Sequence, residues 1–331
     1  MTTVLESLNT ALIDAMRDER VVLLGEDILD PYGGAFKVTR GCSTAYPERT
    51  MSTPISESAM LGIAGGLALA GKLPVVEVMF GDFITLMADQ LINHSAKFRW
   101  MYNGTAKVPL TLRAPMGGRR GYGPTHSQSL EKHFLGVPGL NVYAPNALTD
   151  PGKLLSFAIF KDEDPSLFVE HKLLYLKPIL EENRGEMIDL RVEPLDSNGF
   201  INRVSFSGVK PVVSVLTYGY NFEIARDAMM MMAYEREIFI EIILFDLISP
   251  ISDLPKIAKL IRSTKLVTLE EGVVSNGWGA EITSTLLETQ PGFIISRVGS
   301  LALPVANSKS LEDEILPSKE KLIKTILRYV D

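Results

Sequence analysis

Cysteine is all but missing from this sequence. Cys42 stands alone among 331 residues, which excludes an internal disulfide and a cysteine-built zinc centre. Histidine is also scarce. His94, His126, His133 and His171 share no metal-ligand spacing. No apolar run reaches the ~20 residues of a membrane-crossing helix. The N-terminus lacks the basic, apolar and small-residue succession of a secretory signal. No membrane association is expected, and the cytoplasm is the expected compartment. Positive charge is short as well: 33 Lys and Arg stand against 40 Asp and Glu, a net charge of −7. That balance gives nucleic acid no electrostatic footprint. A phosphate-binding P-loop, a GxGxxG after a strand and a GxSxG nucleophile elbow are all absent.

What is present is an ordinary globular composition, 46% hydrophobic and 22% charged, in a chain long enough for about two domains. Short apolar runs at 20–27, 73–80, 109–115, 140–145 and 166–171 read as buried strands. Segments at 58–70, 83–102 and from about 129 and 150 read as helices between them. Strands alternating with helices predict an α/β fold: three layers, with a mostly parallel sheet covered on both faces. The rhythm breaks at 178–209, where charge is mixed and Asp196, Ser197, Asn198 and Gly199 favour a turn, so this stretch reads as a linker. A second α/β alternation follows, with strands at 211–219, 238–246, 265–271 and 293–299. The expected domains are 1–177 and 210–331. The four consecutive methionines, Met229 to Met232, read as core or interface packing.

The chain is organised around residues 53–57, TPISE, which run into a small-residue helix over 58–70. A proline turn delivers one carboxylate, Glu57, to the helix start. Ser56 is the expected N-cap through its hydroxyl, and Gly71 the expected stop. Small and apolar residues run almost all round this helix, which predicts burial. A carboxylate there is favoured by the helix dipole alone, and that plain reading competes evenly with a functional one. The glycine-rich loop 116–128 follows a strand, where open α/β folds place ligands. Taken singly, His126 reads as a structural loop histidine and Phe83 as core packing. Together with Glu57 they describe a site for a flat ligand, with a carboxylate, a stacking ring and a proton donor.

At these residues the chain resembles a known family. TPISE (53–57), EVMFGDFITLMADQLIN (77–93), GYGPTHSQSLE (121–131), VPGLNVYAP (137–145), DLISP (246–250), EEGVVSNGWGAEI (270–282) and LEDEILPS (311–318) carry the resemblance. They are similar to the beta subunit of thiamine diphosphate-dependent 2-oxoacid dehydrogenases, the pyruvate, branched-chain and acetoin dehydrogenase group. The likeness extends over nearly the whole chain outside the linker. It implies a pyrimidine-binding domain followed by a domain like the transketolase C-terminal domain. Glu57 matches the glutamate that hydrogen-bonds the cofactor's pyrimidine, Phe83 the ring stacked on it, and Met79 the pocket wall. His126 matches the histidine that faces substrate and lipoyl group. Leu110, Ala158, Ile159, Asp162 and Asp164 fall at positions that hold a structural potassium ion in the family. The segment from Ala158 to Pro165 is one residue longer than the usual pattern, and Ser52 stands where an acid is common.

The resemblance also implies partners. The family's alpha subunit holds magnesium and the diphosphate through a GDG…N motif that this sequence lacks, so two alpha and two beta chains are expected to assemble. The implied reaction is decarboxylation of a pyruvate-like 2-oxoacid with transfer of the acyl group to lipoamide on an acyltransferase. Two other readings remain. One is a carboligase or transketolase-like enzyme that passes the activated unit to an aldehyde or ketone. The other is a non-catalytic beta-like scaffold, against which the presence of Glu57 and His126 argues.

Overall fold

The computed structural model describes residues 2–180 and 190–330, which fall into two compact units. Residues Met1–Gly117 and His133–Glu182 make the first, and Gly118–Lys132 with Asn183–Asp331 the second. The part of the expected linker at 181–189 lies outside the described residues.

The first unit opens with α1 (Val4–Ala15), whose N-terminus is a capping box: the Thr3 hydroxyl accepts from the Glu6 amide, and Glu6 reaches back to the Thr3 amide. Then come β1 (Val21–Gly25), the short α2 (Cys42–Ala45), β2 (Thr50–Ser52), α3 (Glu57–Leu69) and β3 (Leu73–Glu77). A single helical run follows, α4 (Ile84–Ala88) to α5 (Ala96–Met101), joined by a π-helical segment at Asp89–Ser95. β4 (Thr111–Met116), β5 (Asn141–Tyr143), α6 (Pro151–Phe160) and β6 (Ser166–His171) complete it. The strands lie in the order β5-β6-β4-β3-β1-β2, and each neighbouring pair is parallel. Every residue of β1, β3, β4 and β6 is buried, as expected for strands covered on both faces.

Three central strands each contribute one charge to a buried network. Arg113 of β4 is fully buried. Its Nε and Nη2 each lie 2.7 Å from the Glu170 carboxylate of β6, and its Nη1 pairs with Glu77 of β3. The Tyr175 hydroxyl donates to Glu170 at 2.6 Å. Burial pushes the Glu77 carboxyl up while Arg113 pulls it down. Breaking such a network by removing one partner typically costs about 3–5 kcal/mol.

The second unit holds β7 (Leu190–Pro194), β8 (Ile201–Phe206), β9 (Val213–Tyr218), α7 (Asn221–Arg236), β10 (Ile240–Phe245), β11 (Leu247–Ser249) and α8 (Leu254–Ala258). β12 (Lys265–Val273), α9 (Trp278–Thr289), β13 (Ile294–Ser300), α10 (Lys309–Ile315) and α11 (Lys319–Leu327) follow. Its sheet has the order β13-β12-β9-β10-β8-β7. The first four strands are mutually parallel, and β8 and β7 are antiparallel additions. Met229 and Met232 are in the core, as their apolar character suggests.

The structure departs from the sequence reading in four places. The interval 178–209 is not simply a linker: Ile179 and Leu180 are buried in the first unit, bonded to Thr2 and Ala147, and β7 and β8 form an antiparallel arm of the second sheet. Asp196 accepts from the Asn198 and Ile201 amides, so the turn residues close a hairpin. The loop Gly118–Lys132, expected within 1–177, groups with the second unit. Ser56 occupies the N-cap of α3 without a side-chain capping bond. Finally, α3 is not buried all round. Met60, Leu61, Ala64, Gly65 and Ala68 face the core, but Ala59, Ile63, Gly66 and Leu69 are exposed, since none of the described residues covers them.

Candidate active site

In the first unit, the site residues leave the carboxyl ends of adjacent strands. Gly25 of β1 is in register with Ser52 of β2 on one side and Glu77 of β3 on the other. Beyond those ends the chain continues into Glu26, into the turn that delivers Glu57, and into Val78 to Phe83. The Thr53 amide donates to the Gly25 carbonyl at 3.0 Å, which ties the start of the TPISE turn to the end of β1. A side chain at residue 25 would meet the Glu77 carbonyl at 2.9 Å and Ile28 at 2.7 Å, so glycine is needed for these segments to approach.

Glu57 is the first residue of α3 and is 7% exposed. Glu26 lies beside it, equally buried, and one of its carboxylate oxygens has no hydrogen-bond partner among the described residues. Burial, then the charges of Glu57 and Asp27, push the Glu26 carboxyl up. A buried acceptor without a donor, next to a second carboxylate, is costly. It fits a polar ligand that brings a donor. Glu26 was legible only as an acid ending a strand; its pairing with Glu57 follows from the register of β1 and β2.

Met79 and Phe83 are half-buried on the segment after β3. Phe83 ends the turn Gly81–Phe83 that opens α4. Its ring stands edge-on to Phe80 at 6.4 Å between centroids, and Phe80 is in turn edge-on to Phe36 at 5.6 Å. Phe36 stacks on Tyr175 at 5.3 Å, and the Lys172 ammonium sits 5.3 Å from the Phe80 ring centre. Gly81 packs so closely on Met116 that a Cβ there would lie 2.1 Å from its side chain. Phe83 thus ends a run of packed aromatic rings, a suitable platform for a flat heterocycle.

His126 belongs to the second unit. Its amide donates to the Gly123 carbonyl at 3.3 Å, and its Nδ1 is 3.0 Å from the Thr125 hydroxyl. When that hydroxyl donates, Nδ1 is the acceptor and Nε2 carries the proton. The loop's irregular path uses left-handed backbone at Arg119, Gly121 and Gly123. At its C-terminal end Glu131 is buried, accepts from the Tyr218 hydroxyl, and has its carboxyl pushed up by burial.

Of the residues matched to a potassium site, Leu110 and Asp162 both bond Ser166. Its amide donates to the Leu110 carbonyl at 2.8 Å and its hydroxyl to Asp162. Asp162 also accepts from Tyr143 at 3.2 Å, so both its oxygens are engaged, and burial raises its carboxyl. Asp164 pairs with Arg99 at 3.2 Å. Ala158 and Ile159 lie buried in the last turn of α6. The two carboxylates thus do not fit as open cation ligands. Among the described residues, no group of three or more His, Cys, Asp or Glu side chains is placed to hold a metal ion. No helix there is long and apolar enough to cross a membrane.

Two family models match the chain. The transketolase pyrimidine binding domain covers residues 2–177, and the transketolase C-terminal domain covers 207–322. The fold class is also that of a solved structure described as a split gene transketolase, inactive beta4 tetramer, with a TM-score of 0.74, 18% identity, and 99% of this chain and 97% of that one covered. The chain is thus a transketolase-like protein with a pyrimidine-binding and a C-terminal domain.

Its curated relatives are more particular. The pyruvate dehydrogenase E1 component subunit beta of Pisum sativum is 34% identical, covering 98% of this chain and 89% of the relative. Those of Saccharomyces cerevisiae and Rickettsia felis are 32% and 31% identical over 98% of this chain, with 87% and 97% of the relatives covered. The chain belongs to the beta-subunit family of thiamine diphosphate-dependent 2-oxoacid dehydrogenases, that of the pyruvate dehydrogenase E1 beta subunits.

Proposed function

We propose that this chain supplies one half of an active site that decarboxylates a pyruvate-like 2-oxoacid and passes the acyl group to lipoamide. The observation that carries the reading is Glu57: a buried carboxylate at a helix start, beside a second buried acid, in a pyrimidine-binding domain. Thiamine diphosphate, when bound, would supply the nucleophilic carbon and electron sink that such a decarboxylation needs. Glu57 would hold and exchange a proton at the pyrimidine ring nitrogen. Glu26, whose carboxyl is pushed up by burial and then by the charge of Glu57, would offer a second polar group beside that ring. Phe83 would stack on the ring with Met79 at its edge, and His126 would face the substrate carbonyl and the acyl acceptor.

The sequence has no diphosphate-magnesium motif, so those contacts fall to an alpha subunit, in an assembly of two alpha and two beta chains. The exposed apolar face of α3 supports such a partner. A lipoyl-bearing acyltransferase would be the acyl acceptor's carrier. A potassium ion, if the family's site is kept at Leu110, Ala158, Ile159, Asp162 and Asp164, would rest on backbone carbonyls, since the two carboxylates have other partners.

Co-expression with the alpha chain tests this reading. The complex should bind thiamine diphosphate tightly in calorimetry, only with magnesium, and release carbon dioxide from pyruvate or a close homologue. This chain alone should do neither. Tight magnesium-dependent binding by the isolated chain would contradict the half-site reading.

A further inference from the structure

Two of the motifs that carry the family likeness, EEGVVSNGWGAEI and LEDEILPS, lie in the second unit and have no part in the chemistry above. Each places one buried glutamate against the loop that bears His126. Glu271 of β12 is 4% exposed and Glu312 of α10 is 1% exposed. The Gly118 amide donates to Glu271 Oε1 at 2.8 Å. The Arg119 and Gly121 amides donate to the two oxygens of Glu312, at 2.6 and 3.3 Å. Further along the loop, the Ser129 hydroxyl donates to the same Glu271 oxygen at 3.1 Å. The Arg119 side chain lies 3.7 Å from Glu271 Oε2 and donates to the Pro317 carbonyl.

These bonds answer a backbone need. An irregular, glycine-rich loop has no ladder to satisfy its amides, and a buried amide without an acceptor is costly. Carboxylates are the strongest acceptors available for them. Gly118 fits the arrangement, because a Cβ there would lie 2.7 Å from Leu316 and 3.2 Å from Glu312 Oε1. The loop is thus held at its start by two carboxylates from elements about 150 and 190 residues away in sequence, and one of them also holds it three residues past His126.

We propose that Glu271 and Glu312 are positioning residues for His126: together they clip the loop Gly118–Lys132 in the conformation that presents the histidine. The inference rests on the role given to His126 above. Both carboxylates bond the loop itself. Their loss should act through the loop, leaving cofactor-dependent decarboxylation less affected than acyl transfer.

The test uses the alpha–beta complex with Glu312→Ala, Glu312→Gln, Glu271→Gln and His126→Ala. Two readouts are needed. Hydrogen exchange at residues 118–122, with tryptic cleavage after Arg119 and Arg120, reports whether the loop is held. Transfer to lipoamide against decarboxylation with an artificial electron acceptor reports what the loop does. In Glu312→Ala, loop protection should fall and acyl transfer should drop about ten- to a hundredfold, the scale of a misplaced catalytic group. Decarboxylation should fall by much less. Glu312→Gln, which keeps an acceptor oxygen, should recover part of both and serves if the alanine variant does not assemble; Glu271→Gln should show a partial loss of the same kind. Glu312→Ala combined with His126→Ala should be no worse than His126→Ala alone, because residues acting as one unit are not additive. Unchanged loop protection in both Glu312 variants would overturn the clip. A released loop with full acyl transfer, while His126→Ala loses it, would overturn the positioning role alone. An unimpaired His126→Ala would remove the role of His126 itself and the proposal with it.

Discussion

At the scale of single residues, the sequence exposed those whose chemistry is local and hid those whose meaning depends on a neighbour. Glu57 could be singled out because TPISE places a carboxylate at a helix start. Glu26 could not, because its partner is set by the register of β1 against β2. His126 stands between these cases: the loop is legible as irregular, but what holds it is not. If His126 assists acyl transfer, His126→Ala should lower transfer to lipoamide more than decarboxylation followed with an artificial acceptor. General acid–base assistance is typically worth about 10²–10⁴-fold. Assays of both activities on one preparation check this, and retention of both would return His126 to an ordinary loop histidine.

Among the elements, long and strongly patterned ones were readable and short or conditional ones were not. The buried strands β3, β4, β6, β9 and β10 fall within or close to their expected runs, since an apolar run bounded by turn residues permits little else. β7 and β8 were missed because their residues are mixed in charge: Arg191 pairs with Glu193, and Arg203 pairs with Glu193 and Glu241, which hides a strand pair inside a charged stretch. α10 was missed because it spans only seven residues.

The start of α9 shows a motif whose reason appears only in three dimensions. Gly277 and Gly279 leave no room for a side chain: a Cβ at 277 would lie 2.3 Å from Glu270, and one at 279 would lie 2.4 Å from Thr268 and 2.8 Å from Glu270. The Gly279 amide donates to Glu270 at 3.1 Å, so a strand residue caps a helix whose own N-cap is glycine. Burial pushes the Glu270 carboxyl up to about 7, helped by Glu131 and opposed by the amides of Gly279 and Trp278. A carboxyl raised on folding binds its proton more tightly in the native state. Its contribution to stability is therefore intact below about 4.5 and declines as pH rises to about 7, by at most roughly 3 kcal/mol. Denaturation of wild type and Glu270→Gln at pH 5 and pH 8 checks this. The wild type should lose stability relative to the variant at pH 8, whereas an equal difference at both pH values would show that Glu270 does not titrate in this range.

At the scale of the whole molecule, the two-domain α/β plan was legible from the alternation of strands and helices, and α3 was legible as a helix of small and apolar residues. The error was to expect this chain to bury it. Ile63 is 54% exposed and Ile55, on the turn before it, 83%. A sequence records which faces shun water but not which chain covers them. The same holds for the proposed chemistry, in which Glu57 would act on a cofactor whose diphosphate this chain has no motif to hold. The most direct measurement is therefore made on the assembled alpha–beta complex: exchange of the thiazolium-carbon proton of bound thiamine diphosphate with deuterated solvent, in wild type and Glu57→Gln. Glutamine keeps the shape and a hydrogen bond but cannot take up the proton. The account predicts fast exchange in the wild type and exchange slower by about 10²–10⁴-fold in the variant, with assembly intact and cofactor saturating. Equal rates under those conditions would contradict it and leave Glu57 as a carboxylate that only favours a helix start.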